Sequence, residues 1–253
     1  MTLINTPIGR FGILLTVLLM QLPAHAENTG GSQWGLGGVV GFDRHPYRDF
    51  NDKTEARPFL LYENQWVRVV GPTFDLKLPS TKTISWGIRL RYSDDGYEAK
   101  DSPYLQGMTE RKAGLWVGGA ARWHTNWATL SAEVLVDASR ESQGTQMSVG
   151  LERRFFSGRF EMVPRIAVHH VNGKYVDYYY GVRAEEATAR RPSHAGQSTT
   201  NLEAGLRIGY SLAPRHKLSL DLSTTRLGSG IKDSPLVDRS GQNSVRAGYL
   251  YLF

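Results

Sequence analysis

Residues 245–253 read Val-Arg-Ala-Gly-Tyr-Leu-Tyr-Leu-Phe, and their alternation decides the fold class. In an extended strand successive side chains point to opposite faces, so Val245, Ala247, Tyr249, Tyr251 and Phe253 share one side, while Ser244, Arg246, Gly248, Leu250 and Leu252 share the other. A terminus frays unless something ties it down. This pattern predicts a last strand held in a sheet.

The same period of two recurs inward from that end. Ile84, Trp86, Ile88, Leu90 and Tyr92 alternate with Ser85, Gly87, Arg89 and Arg91. Leu202, Ala204, Leu206, Ile208 and Tyr210 alternate with Glu203, Gly205, Arg207 and Gly209, and Ala128, Leu130, Ala132, Val134 and Val136 with Thr129, Ser131 and Glu133. Less regular extended segments occupy 34–42, 58–62, 65–78, 113–123, 145–155, 160–170 and 217–225. The connections alternate between tight and long. Leu78-Pro79-Ser80-Thr81, His124-Thr125-Asn126, Ser157-Gly158 and Ala213-Pro214 are tight, whereas 93–111, 172–198 and 228–242 are long. Short turns at one end and long loops at the other are the pattern of a transmembrane barrel.

A soluble β-sandwich also alternates, but two features favour the barrel. The polar face carries both signs of charge, at Arg89, Arg91, Glu133, Asp137, Glu152, Arg154, Glu161, Arg165, Glu203, Arg207, Lys217 and Asp221, as a narrow lumen filled by ion pairs requires. The apolar face carries aromatics near strand ends, at Trp34, Phe42, Trp86, Tyr92, Trp123, Phe155, Phe160, Tyr210 and Tyr249, which fits girdles at two bilayer interfaces. The expected fold is all-β, a closed antiparallel transmembrane β-barrel of 10–12 strands. Eleven segments can be counted, and single-chain bacterial barrels use even numbers. The region 30–80 is therefore misdivided, and twelve is the expected number.

The first residues give the compartment. Arg10 precedes an apolar run over 11–20 and then Ala24-His25-Ala26, the form of a signal peptide cleaved after Ala26. The run is shorter than the ~20 residues of a membrane-spanning helix. Residues 27–253 are then one barrel domain. The chain has no cysteine, so disulfide-stapled scaffolds are excluded. Its 30 Lys and Arg are mixed with 24 Asp and Glu, a balance that does not argue for a nucleic-acid partner.

No catalytic, metal or cofactor residue is expected. His169 should face the lumen with Arg165 and Glu161, and His170 the lipid interface, but no serine stands in a recognisable nucleophile motif. There is no HExxH spacing and no phosphate-cradling glycine loop. The run Tyr178-Tyr179-Tyr180 has two readings: an aromatic cluster that folds the long loop over the barrel mouth, or a surface on which a ligand such as a sugar stacks.

Three loop phrases carry a family resemblance. They are DSPYLQGMTER (101–111), YVDYYYGVRAEEATARRPSH (175–194) and DSPLVDR (233–239), in order, with the barrel pattern between and YLF (251–253) at the close. The chain resembles the MipA/OmpV family of outer-membrane proteins, with His194 standing where members tend to have Tyr. The resemblance implies an outer-membrane barrel of 10–12 strands whose name-giving member is a scaffold joining a murein lytic transglycosylase to a penicillin-binding protein in cell-wall synthesis. It also admits a porin-like channel or a surface adhesin. The closing residues Tyr249, Tyr251 and Phe253 resemble the signal read by the outer-membrane assembly machinery. Since the periplasmic turns are short, a periplasmic partner would grip 27–57 or the barrel rim. On the polar face, Arg in place of Asn201 or Gly205 should be tolerated better than Arg in place of Leu202, Leu206 or Ile208, with crowding the cost at Gly205.

Overall fold

The computed structural model describes residues 31–52 and 54–253. The Ala26 cleavage site lies outside the described residues. Twelve antiparallel strands close on themselves: β1 (Gln33–Arg44), β2 (Thr54–Glu63), β3 (Val67–Val70), β4 (Thr73–Lys77), β5 (Ile84–Ser93), β6 (Gly114–His124), β7 (Thr129–Asp137), β8 (Thr145–Glu152, resuming as Phe155–Ser157), β9 (Phe160–Val171), β10 (Thr199–Ala213), β11 (His216–Arg226) and β12 (Gly241–Leu252). The expected count of twelve holds, and the misdivided region is where it was placed. Residues 65–78 form two short strands hinged at Gly71-Pro72, where Gly71 takes φ 53° and Val70 pairs directly with Thr73. The segment expected at 58–62 is longer, beginning at Thr54.

The interruption in β8 has a local cause. Arg153 and Arg154 lie opposite Pro164 and Val163 without a change of register, and Pro164 has no N–H to give the ladder. Alternation is otherwise regular. Trp86, Ile88, Val149, Ile166, Leu202 and Val245 are exposed on the outer face, while Arg89, Glu203, Arg207 and Asp221 are buried inside. This outer band faces lipid, so the protein resides in the outer membrane.

Closure is made by β12 against β1, in register from Gly35–Leu252 to Arg44–Asn243. The Phe253 N–H donates to the Trp34 carbonyl at 3.0 Å, and the two rings stack at 4.1 Å and 11°. Tyr249 and Phe253 lie on the outer face as expected, and Tyr251 packs edge-on against Phe253 at 5.0 Å. On the inner side of the seam, glycine at 35 and 37 has a steric reason. A Cβ on Gly37 would sit 1.9 Å from the Tyr249 carbonyl oxygen, and one on Gly118 equally close to that of Val134.

The inner face is more crowded than alternation alone implies. Asn201 is fully buried with its Oδ1 accepting from the Gly228 N–H, and a Cβ on Gly205 would lie 2.6 Å from the Arg165 guanidinium carbon. Arg at Gly205 would meet the crowding expected there, and Asn201 is confined as well.

The seam yields a direct test. Gly37→Ala and deletion of Phe253 should each lower the folded, heat-modifiable fraction on gels, whereas Gly209→Ala, whose Cβ would meet nothing nearer than Glu161 at 3.5 Å, should not. Leu206→Arg should cost ~2 to 4 kcal/mol by placing a charge in hydrocarbon.

Candidate functional site: a capped, charge-lined lumen

Two layers fill the barrel. The lower layer is a lattice of ion pairs set by strand register. Asp75 lies directly opposite Arg89, and Arg207, Asp221 and Arg246 share one cross-strand row. Arg89 grips Asp75 with a two-pronged bond at 2.7 and 2.8 Å and, with Arg91, donates to Glu133. On the far wall Arg165 holds Asp221 at 2.8 and 2.9 Å and Glu203 at 3.0 Å, Arg207 shares Asp221, and His169 Nε2 lies 3.1 Å from Glu203. Arg246 bridges the seam to Asp43 at 3.0 Å. Such planar pairs offset desolvation only when their geometry is good, which the forked contacts supply.

The upper layer is a cap built from the long loops. Helix α1 (Gly173–Tyr180) is capped by Asn172, whose Oδ1 accepts from the Tyr175 and Thr145 N–H groups at 3.1 Å. Its residues Tyr175, Val176, Tyr179 and Tyr180 recur at helical spacing and are buried. They join Trp116 and Leu135, which point inward from the wall, and Tyr47, Tyr97, Leu105, Met108, Ile231 and Leu236 in one core. Tyr47 stacks on Tyr180 at 5.3 Å and meets Tyr97 edge-on at 5.1 Å.

The recurring loop phrases are the braces of this cap. In each DSP phrase the serine hydroxyl donates to a distant loop carbonyl, Ser102 to Arg48 at 2.7 Å and Ser234 to Tyr180 at 2.6 Å. Each also accepts the N–H two residues on, from Tyr104 and Leu236. Arg111 forms a buried fork with Glu186 at 2.7 and 2.9 Å and donates to the Tyr178 carbonyl. Arg191 donates to the carbonyls of Tyr104, Gln106 and Glu186. Burial opposes ionisation of Glu186, but Arg111 and the N–H groups of Arg183 and Thr109 outweigh it and hold its pKa down to about 2. Asp95 is the opposite case: burial pushes its carboxyl up to about 7, despite a bond from Ser93 at 2.7 Å.

The tyrosine run falls within this cap. Tyr179 and Tyr180 are buried, and Tyr178 is partly exposed, its hydroxyl accepting the Lys112 N–H. His169 faces the lumen and His170 the outside, as expected, and His170 pairs with Thr200 at 3.0 Å. Among the described residues the His169 Nδ1 has no hydrogen-bond partner. The outward side of loop 172–198 carries a cleft of about 290 Å³ lined by Asp177, Val182, Arg183, Ser193 and His194. Sequence reading missed Arg68 and Asp75 because they lie in the short strands β3 and β4, and Arg122 because the run Gly118-Gly119-Ala120-Ala121 before it blurs the alternation of β6. It missed the helical spacing of 175, 176, 179 and 180 because attention rested on the consecutive tyrosines.

The family described as MltA-interacting protein MipA matches residues 35–253. The chain belongs to the MipA family. It is 27% identical over 235 residues to the MltA-interacting protein of Escherichia coli K12, covering 91% of this chain and 92% of that protein. It is 28% identical over 170 residues to the outer membrane protein OmpV of Vibrio cholerae, covering 67% and 66%. Among solved structures, an outer membrane channel of Pseudomonas putida F1 matches with a TM-score of 0.47 and 11% identity, over 92% of this chain and 99% of that one. These MipA-family relatives are named as outer membrane proteins or for their interaction, not for a reaction.

Two tests follow from the cap. Since the folded pKa of Asp95 lies above the ordinary 3.8, the folded cap holds a proton that the unfolded one has released. The Asp95 contribution to cap stability is therefore fully present below about pH 4, is lost as pH rises toward 7 and is level above, while Glu186, with its lowered pKa, adds the opposite slope below about pH 4.5. Hydrogen exchange of 172–198, corrected for its intrinsic pH dependence, should show this slope in the wild type and a flatter one in Asp95→Asn; parallel slopes would assign the response elsewhere. Arg111→Met leaves Glu186 buried without its cation and should cost the cap ~3 to 5 kcal/mol, with the double variant Arg111→Met/Glu186→Leu recovering most of the protection.

Proposed function

We propose that this protein works by contact and not by conduction: a closed outer-membrane barrel that holds a murein lytic transglycosylase at its periplasmic face and, through it, a penicillin-binding protein of cell-wall synthesis. The observation that carries this reading is the double closure of the lumen, by an aromatic core at the mouth and by paired charges below it. A barrel sealed in this way has little use for an open channel. The E. coli relative's name supports the transglycosylase as partner. Contact would fall on the periplasmic rim, where Trp66 and Trp127 stand 62% and 59% exposed at turn tips.

The other sequence assignments fit this reading. Residues 1–26 serve as a signal peptide cleaved after Ala26, and Tyr249, Tyr251 and Phe253 serve as the signal to the assembly machinery. Tyr178, Tyr179 and Tyr180 hold the cap, leaving the cleft beside Arg183 and His194 as the outward surface of that loop.

Detergent-solubilised protein should enrich a lytic transglycosylase over an unrelated barrel, and Trp66→Ala/Trp127→Ala should reduce the enrichment without altering heat-modifiable migration. In planar bilayers the wild type should give no stable steps. Stepwise conductance together with no enrichment would overturn the reading in favour of a small-solute pore.

A further inference from the structure

We propose that the lower lumen holds a binding site for a small oxyanion, a phosphate or carboxylate group, on the guanidinium groups of Arg122 and Arg68.

The argument begins with charge pairing. Arg89, Arg91, Arg165, Arg207 and Arg246 each hold a carboxylate by a hydrogen bond. Arg122 is different. Among the described residues it makes no ion pair, and its Nη2 is buried without a hydrogen-bond partner. Arg68 is 8% exposed, and its Nε likewise lacks a hydrogen bond, with Glu63 no nearer than 3.6 Å. The charges that bear on Arg122 are those of Arg68, Arg89, Asp75 and Glu152. Asp75 is already held by both prongs of Arg89. Among the described residues Glu152 forms no ion pair with either guanidinium, so Arg122 has no ion pair and Arg68 has only the 3.6 Å contact to Glu63.

Space and surroundings agree. Arg122 stands on the inner face of β6, paired across to Ser85 on β5 and Ser131 on β7, with Gly87, Ala120 and Gly150 in the adjoining inward positions. These neighbouring side chains are all small. Val70, two residues beyond Arg68 on the same side of β3, begins an apolar patch with Phe59, Leu61, Leu250 and Leu252. Such a wall strengthens electrostatic attraction by lowering the local dielectric. An uncompensated buried charge is costly, and a planar guanidinium matches the oxygens of phosphate and carboxylate in a forked geometry. His124, one turn of the alternation below Arg122, is exposed at the periplasmic end, so the anion enters from the periplasm.

The test uses the intact barrel in detergent micelles at constant ionic strength. Titration calorimetry with inorganic phosphate, and separately with acetate, should show saturable binding by at least one of them; which one binds names the oxyanion. Arg122→Gln should weaken that binding at least tenfold and Arg68→Gln by a smaller factor. Arg159→Gln, at an exposed periplasmic turn, should leave it unchanged. A second readout guards against misfolding. In anion-poor buffer Arg122→Gln should melt at or above the wild-type temperature, because it removes an unsatisfied charge, while added phosphate or acetate should raise the melting temperature of the wild type alone. Absence of saturable binding by both anions, or equal binding by wild type and Arg122→Gln, would overturn the proposal.

Discussion

Hydrocarbon offers no hydrogen-bond partners, so every backbone N–H and C=O that enters it must be paired within the chain. A sheet meets that demand only by having no edge. The β12–β1 seam is therefore the contact on which the rest depends, and it is built with corresponding care. Its ladder runs the length of both strands, its last N–H is taken by the Trp34 carbonyl, and the Trp34–Phe253 stack closes it on the lipid side. Glycine at 37 lets the two strands approach closely, with the Tyr249 carbonyl where a Cβ would stand. A larger side chain there would separate the strands and reopen the edge.

Closure has an internal consequence. Once twelve strands form a ring, every second side chain is driven into a confined space, and whatever stands there must pack or pair. Register then decides which partners meet. Asp75 and Arg89 face each other because β4 and β5 are in that register, and a slip of either strand by one residue would turn its member of the pair outward. The ion pairs thus depend on the backbone ladder and also hold it in place, since each links strands that the ladder has set side by side. Above them the same confinement is met with apolar groups, Trp116 and Leu135 from the wall and the tyrosines of α1 from above. The lumen is consequently a second core, charged below and aromatic above.

How much of this was legible in the sequence varied with the physics behind each part. Period-two alternation is a local property, so the barrel, the lipid face and the alternation of tight and long connections could be read directly. The β3–β4 hairpin could not, because strands of four and five residues are too short to show a period and Gly71-Pro72 sits inside what looks like one run. Inward charges such as Arg165 and Glu203 were recognisable by parity, but their pairing depends on registers between distant segments. Leu135 illustrates a further limit. Its parity is that of Glu133 and Ser131, yet it is apolar and fully buried, because the cap reaches down to its level. No pattern within β7 carries that information.

The repeated DSP phrase gives the same lesson from the other direction. A serine-proline phrase that occurs in two loops, beside arginines and acids, has the look of a binding motif. The geometry gives it a mechanical task, since each serine takes one N–H of its own turn and gives its proton to a carbonyl of another loop, so two loops that share no sequence neighbourhood are fastened together. Arg111 and Arg191 do likewise with carbonyls and with Glu186, which spends their donors on the cap itself. A guanidinium so occupied has nothing left for a ligand. Chemistry available to a solute must then be sought where donors stay unspent, and that condition points away from the recurring phrases and toward the unremarked arginines of the lower lumen.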